Sequence, residues 1–415
     1  MQTTYATPQD IDNWMSLVNQ IRQNFPGLET QEGLDDYKAT ALKFMDKRQA
    51  ICVKPDAPSD QRIAGIMLFS RGKNMICCLG VSPAFRRRGV ASLLMEEALL
   101  NLDQSKEISV STFRAEDEKG TAPRALYEKY GFVPEALIRE FGYPNQRLIR
   151  YPQGAEKGER QKAVNKMVRA VTDILSDCKP SIYLYGSSVL DDFRLGWSDL
   201  DIVVLTGKMI SEEQARRLVR LRQTMLVEEA GNPYYRSFEG GMLTLDAFLS
   251  GEEDRVVYWG TGGERITCRY GLDAFCMSEL LDDGILLCGN DIRDRLPRPA
   301  PDDLGAGVRK HYETIRKYAQ KTGRSLYSFG WLLDISRCIY TLRTGGIISK
   351  TAAGEWALRE NLCPCADALQ KAVEVRKMPA AYQKDESIFD YAQDLGSSVQ
   401  RYADILEREL GESGR

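Results

Sequence analysis

Histidine is nearly missing: the 415 residues hold one, His311. A serine- or cysteine-histidine hydrolase would have to rest on that residue alone. It lies in "GVRKHYETIRKY", whose pattern reads as a helix with the imidazole on its surface. No apolar run reaches the ~18 residues that a membrane span needs. The opening "MQTTYATPQDIDNW" has neither a basic nor an apolar stretch, so no export signal is expected. Charge of one sign is also lacking: 56 Lys and Arg face 59 Asp and Glu, for a net charge of -3. Such a chain is not built as a whole to bind nucleic acid. Repeats, low-complexity tracts and long like-charge blocks are absent. The ten cysteines include an adjacent pair, Cys77-Cys78, and Cys363-Pro-Cys365, but no paired C-x-x-C spacing. They read as reduced thiols of a cytoplasmic protein, used as small apolar residues, and not as a zinc site.

What is present is a soluble, globular composition, 43% hydrophobic and 28% charged, on a chain too long for one ordinary core. Residues 1–150 alternate helical and strand patterns. "TPQDIDNWMSLVNQI" and "GVASLLMEEALLNL" read as helices; "RIAGIMLFS", "MICCLGVSP", "ISVSTFRA" and "RLIRY" read as strands. The segment 151–163, "YPQGAEKGERQKA", has little to bury and reads as a linker. A mixed α/β region follows over 164–300, with "SFEGGMLTLDAFLSG" read as strand-like. Residues 301–415 are helical in pattern, after the prolines of "RLPRPAPDDL".

Two stretches carry chemistry. In "LGVSPAFRRRGVASLLMEEAL" a strand ends, an arginine-rich turn follows, and Gly89 opens a helix. The spacing of Arg86, Gly89 and Ala91 lets backbone approach a ligand, and the first helical N–H groups have no partners. With the helix dipole and three arginines, such a turn suits a pyrophosphate. Further on, "GSSVLDDFRLGWSDLDIVV" sets Asp199 and Asp201 at the head of an apolar strand. Alternation by two puts both side chains on one face, with stems about 6.6 Å apart. Their repulsion is about 2.5 kcal/mol at an effective dielectric near 20. Solvation, a shared proton or a divalent cation would relieve it. Hard Mg²⁺ binds carboxylate and phosphate oxygens together, and the turn at Gly186-Ser187 offers backbone N–H and hydroxyl donors to a triphosphate.

The first stretch, with "ALYEKYGFVPE" after it, resembles the Gcn5-related N-acetyltransferases (GNAT). That resemblance implies a mixed-sheet fold binding acetyl-CoA through Val81, Arg86, Arg87, Arg88, Gly89, Val90 and Ala91. It also implies that Tyr127 protonates the departing thiolate, a phenol of pKa about 10 facing a thiol of about 8.5. Glu116 is a candidate base. An asparagine common in the family, seven residues before that tyrosine, is here Gly120.

The second stretch resembles the polymerase β-like nucleotidyltransferases. "SFEGGMLTLDAF" and "WLLDISRCIYTLRTGGIISKTAAGEWAL" narrow the likeness, which covers about 165–375, to aminoglycoside enzymes of the streptomycin/spectinomycin adenylyltransferase kind. The resemblance implies a mixed-sheet catalytic domain followed by a helical bundle. Asp199, Asp201 and Glu239 would be metal ligands and catalytic groups, with Asp246 as alternative third acid. Gly186, Ser187, Arg337 and Lys350 would hold the nucleotide. It implies Mg²⁺, ATP and a small aminoglycoside-like acceptor, with no nucleic acid or membrane partner. The chain departs from that family at Asp191-Asp192, where relatives often have small residues or glycine, and at Tyr327, where streptomycin-modifying relatives carry an acid. Two other readings stay open: a GNAT domain that senses acyl-CoA without catalysis, and a transferase that modifies a protein or RNA end.

Overall fold

The computed structural model describes residues 1–56, 62–260 and 262–412, which divide into two compact units, Met1–Lys166 and Met167–Arg415. Among the described residues no helix is long and apolar enough to cross a membrane.

The first unit runs β1 (Gln2–Tyr5), α1 (Ile11–Ile21), α2 (Gln31–Asp46), β2 (Ala50–Lys54), β3 (Gly65–Ser70), β4 (Met75–Val81), α3 (Val90–Asn101), β5 (Ile108–Phe113), α4 (Thr121–Lys129), β6 (Val133–Glu140) and β7 (Tyr143–Arg150). Its sheet has the order β1-β2-β3-β4-β5-β7-β6. All pairings are antiparallel except β4 with β5. Because strand side chains alternate between faces, the sheet builds two cores. One packs Val90, Leu94 and Ala98 of α3, with Tyr127 and Phe132, against Ile51, Met67 and Ile76. The other packs Trp14, Leu17, Val18 and Ile21 of α1 against Cys52, Ile66 and Leu68. Burying those four α1 side chains contributes roughly 1.5–3 kcal/mol each.

The boundary between the units falls within α5 (Glu156–Ile174), which begins inside the segment read as linker. The second unit continues with β8 (Ser181–Tyr185), β9 (Leu200–Thr206), α6 (Glu212–Glu228), β10 (Phe238–Thr244), α7 (Leu245–Ser250), β11 (Val256–Gly260), β12 (Gly263–Thr267), α8 (Ala274–Asp282) and β13 (Ile285–Cys288). Its sheet order is β12-β11-β10-β9-β8-β13, with β9 and β10 parallel. Helices follow: α9 (Pro301–Tyr318), α10 (Gly330–Thr344), α11 (Lys350–Arg359), α12 (Ala366–Lys377), α13 (Pro379–Tyr382), α14 (Glu386–Gln393) and α15 (Gly396–Glu412). Their shared core also takes Trp197 from the β8–β9 loop and Phe275 from α8. The regions read separately as 164–300 and 301–415 therefore pack in one unit.

The strand-like reading of "SFEGGMLTLDAFLSG" holds only to Thr244. There the hydroxyl accepts the Ala247 N–H at 3.2 Å, and Asp254 takes the Thr244 N–H at 2.8 Å. This cap turns the apolar run into α7, which Gly251 ends in a left-handed conformation.

Candidate functional site

In the first unit the arginine turn lies between β4 and α3. Arg86 is extended, Arg87 has φ +58°, and Gly89 has φ +80°. A Cβ at Gly89 would meet nothing within 4 Å, so glycine serves the backbone angle there and not the space. Val90 is buried and anchors the helix start, while Arg86, Arg87 and Arg88 are exposed and Ala91 is half-buried. No side chain caps α3, which leaves its first N–H groups available beside three cations. The strand that leads into this turn has a second feature the sequence did not signal. β4 pairs with β5 only at Met75–Ser109 and Ile76–Val110. Cys77 is the extra residue of a register shift against β3, and from there to Val81 the two strands part. The parting leaves β4 backbone groups on that edge without ladder partners, next to the arginine turn.

Tyr127 is buried on α4, edge-on to Phe132 at 5.7 Å. Burial, with a smaller contribution from Cys78, pushes its phenol above the usual range, so it keeps its proton firmly. Glu116 is exposed in the loop after β5. Gly120 is buried, and a Cβ there would lie 2.8 Å from the Arg114 carbonyl oxygen. A side chain would crowd that carbonyl at the position where the GNAT resemblance implies asparagine.

The second unit gathers its acids at the β9–β10 pair. The parallel register sets Glu239 beside Asp201, and Asp199 lies two residues earlier on β9's approach. That register needs Gly240: at φ +147° its added Cβ would stand 1.7 Å from the Ile202 carbonyl oxygen. Gly186, at φ +72°, opens the turn after β8, and a Cβ on it would meet Asp201 Oδ2 at 2.3 Å. The turn at Gly186 thus lies directly against the carboxylate. The Ser187 hydroxyl donates weakly to the Asp199 carbonyl at 3.5 Å.

The electrostatics follow from this crowding. Burial, then Glu239's charge and a hydrogen bond with it, pushes Asp199 up to about 6. Burial, then the charges of Asp199, Glu279 and Glu239, pushes Asp201 up to about 8. Acids in this state bind protons or cations readily. Among the described residues no three His, Cys, Asp or Glu side chains stand in coordinating positions. The donor chemistry nevertheless fits a hard divalent cation: three carboxylates that repel one another and lie against a glycine turn. Asp246, the alternative third acid, is exposed in the first turn of α7, past the end of β10.

Arg337 and Lys350 come to the same cluster, each already paired. Arg337 Nη1 lies 3.1 Å from Glu279 Oε1, with its guanidinium 5.3 Å over the Phe275 ring. Lys350 Nζ lies 2.9 Å from Asp334 Oδ1. Although burial alone would raise it, Lys350 and Arg337 hold the Asp334 carboxyl below the usual range.

Several residues were not legible as site residues. Tyr258 on β11 donates to Glu239 Oε1 at 2.7 Å and so aims that carboxylate. Glu279 supplies a fourth acid, and its only sequence trace is an apolar helix carrying one buried charge. Tyr327 is 62% exposed, lies 5.8 Å from the Trp197 ring, and feels the charge of Asp199. The expectation of a surface imidazole is corrected: His311 is half-buried, edge-on to Phe275 at 5.2 Å, and burial lowers its pKa. Asp191 is exposed, but Asp192 faces neither acceptor nor solvent; it is buried and paired with Arg376 at 3.1 Å.

Residues 47–134 match the family model described as the acetyltransferase (GNAT) domain, and residues 304–402 that of the aminoglycoside adenylyltransferase C-terminal domain. No curated protein sequence matches the chain. Among solved structures it is similar to spectinomycin adenyltransferase AAD(9) from Enterococcus faecialis, crystallised with ATP and spectinomycin. The identity is 13% and the TM-score 0.43, over 59% of this chain and 98% of that one. It is also similar to histone acetyltransferase HPA2 and related acetyltransferase from Corynebacterium glutamicum, at 16% identity and TM-score 0.29, over 37% and 98%. A third is the PaiA N-acetyltransferase from Thermoplasma acidophilum in complex with coenzyme A, at 13% and 0.27, over 35% and 96%. Both matched families are enzyme families; the GNAT match lies in the first unit and the aminoglycoside adenylyltransferase C-terminal match in the second.

Proposed function

We propose that the second unit transfers an adenylyl group from ATP to a hydroxyl of a small aminoglycoside-type acceptor, and that the first transfers acetyl from acetyl-CoA to an amine. The observation that carries the first part is the strand register that sets Glu239 beside Asp201, two residues from Asp199, with the Gly186 turn against Asp201 and with Lys350 and the Arg337–Glu279 pair close enough for their charges to act on these acids. In this reading Asp199, Asp201 and Glu239 would hold Mg²⁺, which supplies charge neutralisation at the phosphates. Arg337 and Lys350 exchange part of their pairing with Glu279 and Asp334 for phosphate oxygens. Tyr258 keeps one Glu239 oxygen occupied and leaves the other to accept the acceptor's hydroxyl proton. The acceptor oxygen bonds to the α-phosphorus as the bond to the bridging oxygen breaks, and pyrophosphate leaves. Tyr327, exposed over Trp197 near Asp199, stands where an acceptor ring would approach.

In the first unit the free N–H groups of α3 and the exposed arginines would hold the pyrophosphate of acetyl-CoA, and Tyr127 would return a proton to the thiolate. Two observations favour a second reading, in which this unit binds acyl-CoA without catalysis. A side chain at position 120 would crowd the Arg114 carbonyl, and the Tyr127 phenol is a weak acid. Incubating an aminoglycoside panel with ATP, Mg²⁺ and acetyl-CoA, with mass spectrometry, tests both parts. A gain of an adenylyl mass supports the transferase reading, and its absence across the panel removes it. A gain of acetyl decides between the two readings of the first unit.

A further inference from the structure

We propose that Asp192 and Arg376 form a buried clamp that positions Lys350 against the acids of the nucleotidyl-transfer site; this rests on the reading of that site given above. Asp192 interrupts the loop joining Gly186-Ser187 to Asp199, where a solvated acid would be unremarkable. Here its exposure is 2% and that of Arg376 is 3%. Two charges are seldom kept so dry unless each is fully bonded, because burying them costs several kcal/mol per ion.

The bonds lead to the site from three directions. The Asp192 N–H donates to the Ser187 carbonyl at 3.0 Å, tying it to the turn beside Asp201. Its carboxylate accepts from Thr351 Oγ1 at 2.6 Å and from the Thr351 N–H at 3.3 Å. Thr351 follows Lys350 in the first turn of α11, so the carboxylate acts there as a cap supplied from a distant loop. Arg376 on α12 donates to Asp192 Oδ2 from Nε at 3.2 Å and Nη2 at 3.1 Å. Nη2 also reaches the Asp192 carbonyl at 3.3 Å and Ser198 Oγ at 3.5 Å, next to Asp199. The guanidinium lies 5.5 Å over Trp197. Ser187, Ser198 and Thr351 each adjoin or belong to the proposed nucleotide and metal groups. One buried pair therefore sets the distance between sheet-borne acids and a helix-borne cation.

A clamp of this kind acts on geometry, and displacements near 1 Å cost about 10²-fold in rate. Asp192→Asn keeps the shape and removes the charge. With Mg·ATP, it is expected to fold cooperatively, to raise KM and the calorimetric Kd for Mg·ATP about 10-fold, and to lower kcat about 10-fold or more. A variant that melts earlier but keeps wild-type kcat and KM overturns the proposal, since that is what a purely structural pair would give. Should Asp192→Asn fail to fold, Thr351→Val decides: it removes one bond to the carboxylate and leaves the ion pair. A several-fold rise in KM and Kd for Mg·ATP supports the clamp, and unchanged values overturn it. A wild-type chain that binds Mg·ATP but adenylylates no acceptor removes only the transfer reading, because the Kd comparison still judges the clamp. A wild-type chain that binds no Mg·ATP overturns both.

Discussion

In the proposed reading the two units would meet anionic ligands with different materials. The first would offer an uncapped helix start, parted strands and three exposed arginines on an open turn. The second offers side chains held against their preference, with Asp201 pushed up to about 8 and Asp199 to about 6. A helix terminus binds an anion directly through fixed dipoles, so it needs no stored repulsion. A carboxylate cluster binds nothing anionic until a cation intervenes, and its cost is visible in its titration. Perturbed acids thus mark only one of the two proposed sites.

The contrast breaks most sharply at Asp201. Asp201→Asn should lower adenylyl transfer by about 10³-fold or more while acetyl-CoA affinity stays at the wild-type value. Labelled ATP and calorimetry read the two. A parallel loss of both would mean the sites are not separate. Tyr258→Phe should lower kcat about 10-fold with little change in KM for ATP, because it frees the Glu239 carboxylate and not the phosphate cations. An effect confined to KM would place Tyr258 with the nucleotide instead.

The first unit's site should yield to charge and salt. Replacing Arg86 and Arg88 together with alanine should weaken acetyl-CoA binding about 10-fold at low salt, and less as ionic strength rises. Adenylyl transfer should be untouched, and an unaltered CoA affinity would remove the turn from the site.

The smallest expected effect is on stability. An acid whose folded-state pKa is raised binds its proton more tightly when folded. It therefore stabilises the fold at low pH, and that contribution is lost as pH rises from about 4 toward 8. Without divalent cations, Asp201→Asn should gain on the wild type over that window, by roughly 3–8 °C in Tm at pH 8. Equal melting of the two proteins at pH 5 and pH 8 would show that Asp201 is not strained. Added Mg²⁺ should narrow the gap.

Much of the architecture was legible because it depends on periodicity. The segment Ile11 to Ile21 buries Trp14, Leu17, Val18 and Ile21 on one face, as its helical spacing requires. The α7 segment was not, since an apolar run of that length is ambiguous until the Thr244 cap and Asp254 are in place. At the site, Asp199 and Asp201 announced themselves by standing at the head of an apolar strand. Glu239 required the register of a neighbouring strand before its place beside Asp201 could be seen. Tyr258, Glu279 and Asp192 gave no local sign of their long-range partners Glu239, Arg337 and Thr351, which lie 19, 58 and 159 residues away.

By itself the sequence determined the local chemistry: a dry strand with acids at its head, a basic turn opening a helix, and the spacing of both. Tertiary structure decided what those acids meet. Whether Asp192 is solvated or buried, and whether Arg337 and Lys350 stand free or paired, depends on which helix packs over the β8–β9 loop. Charge–charge energies change several-fold with burial and distance, and neither is a property of local sequence.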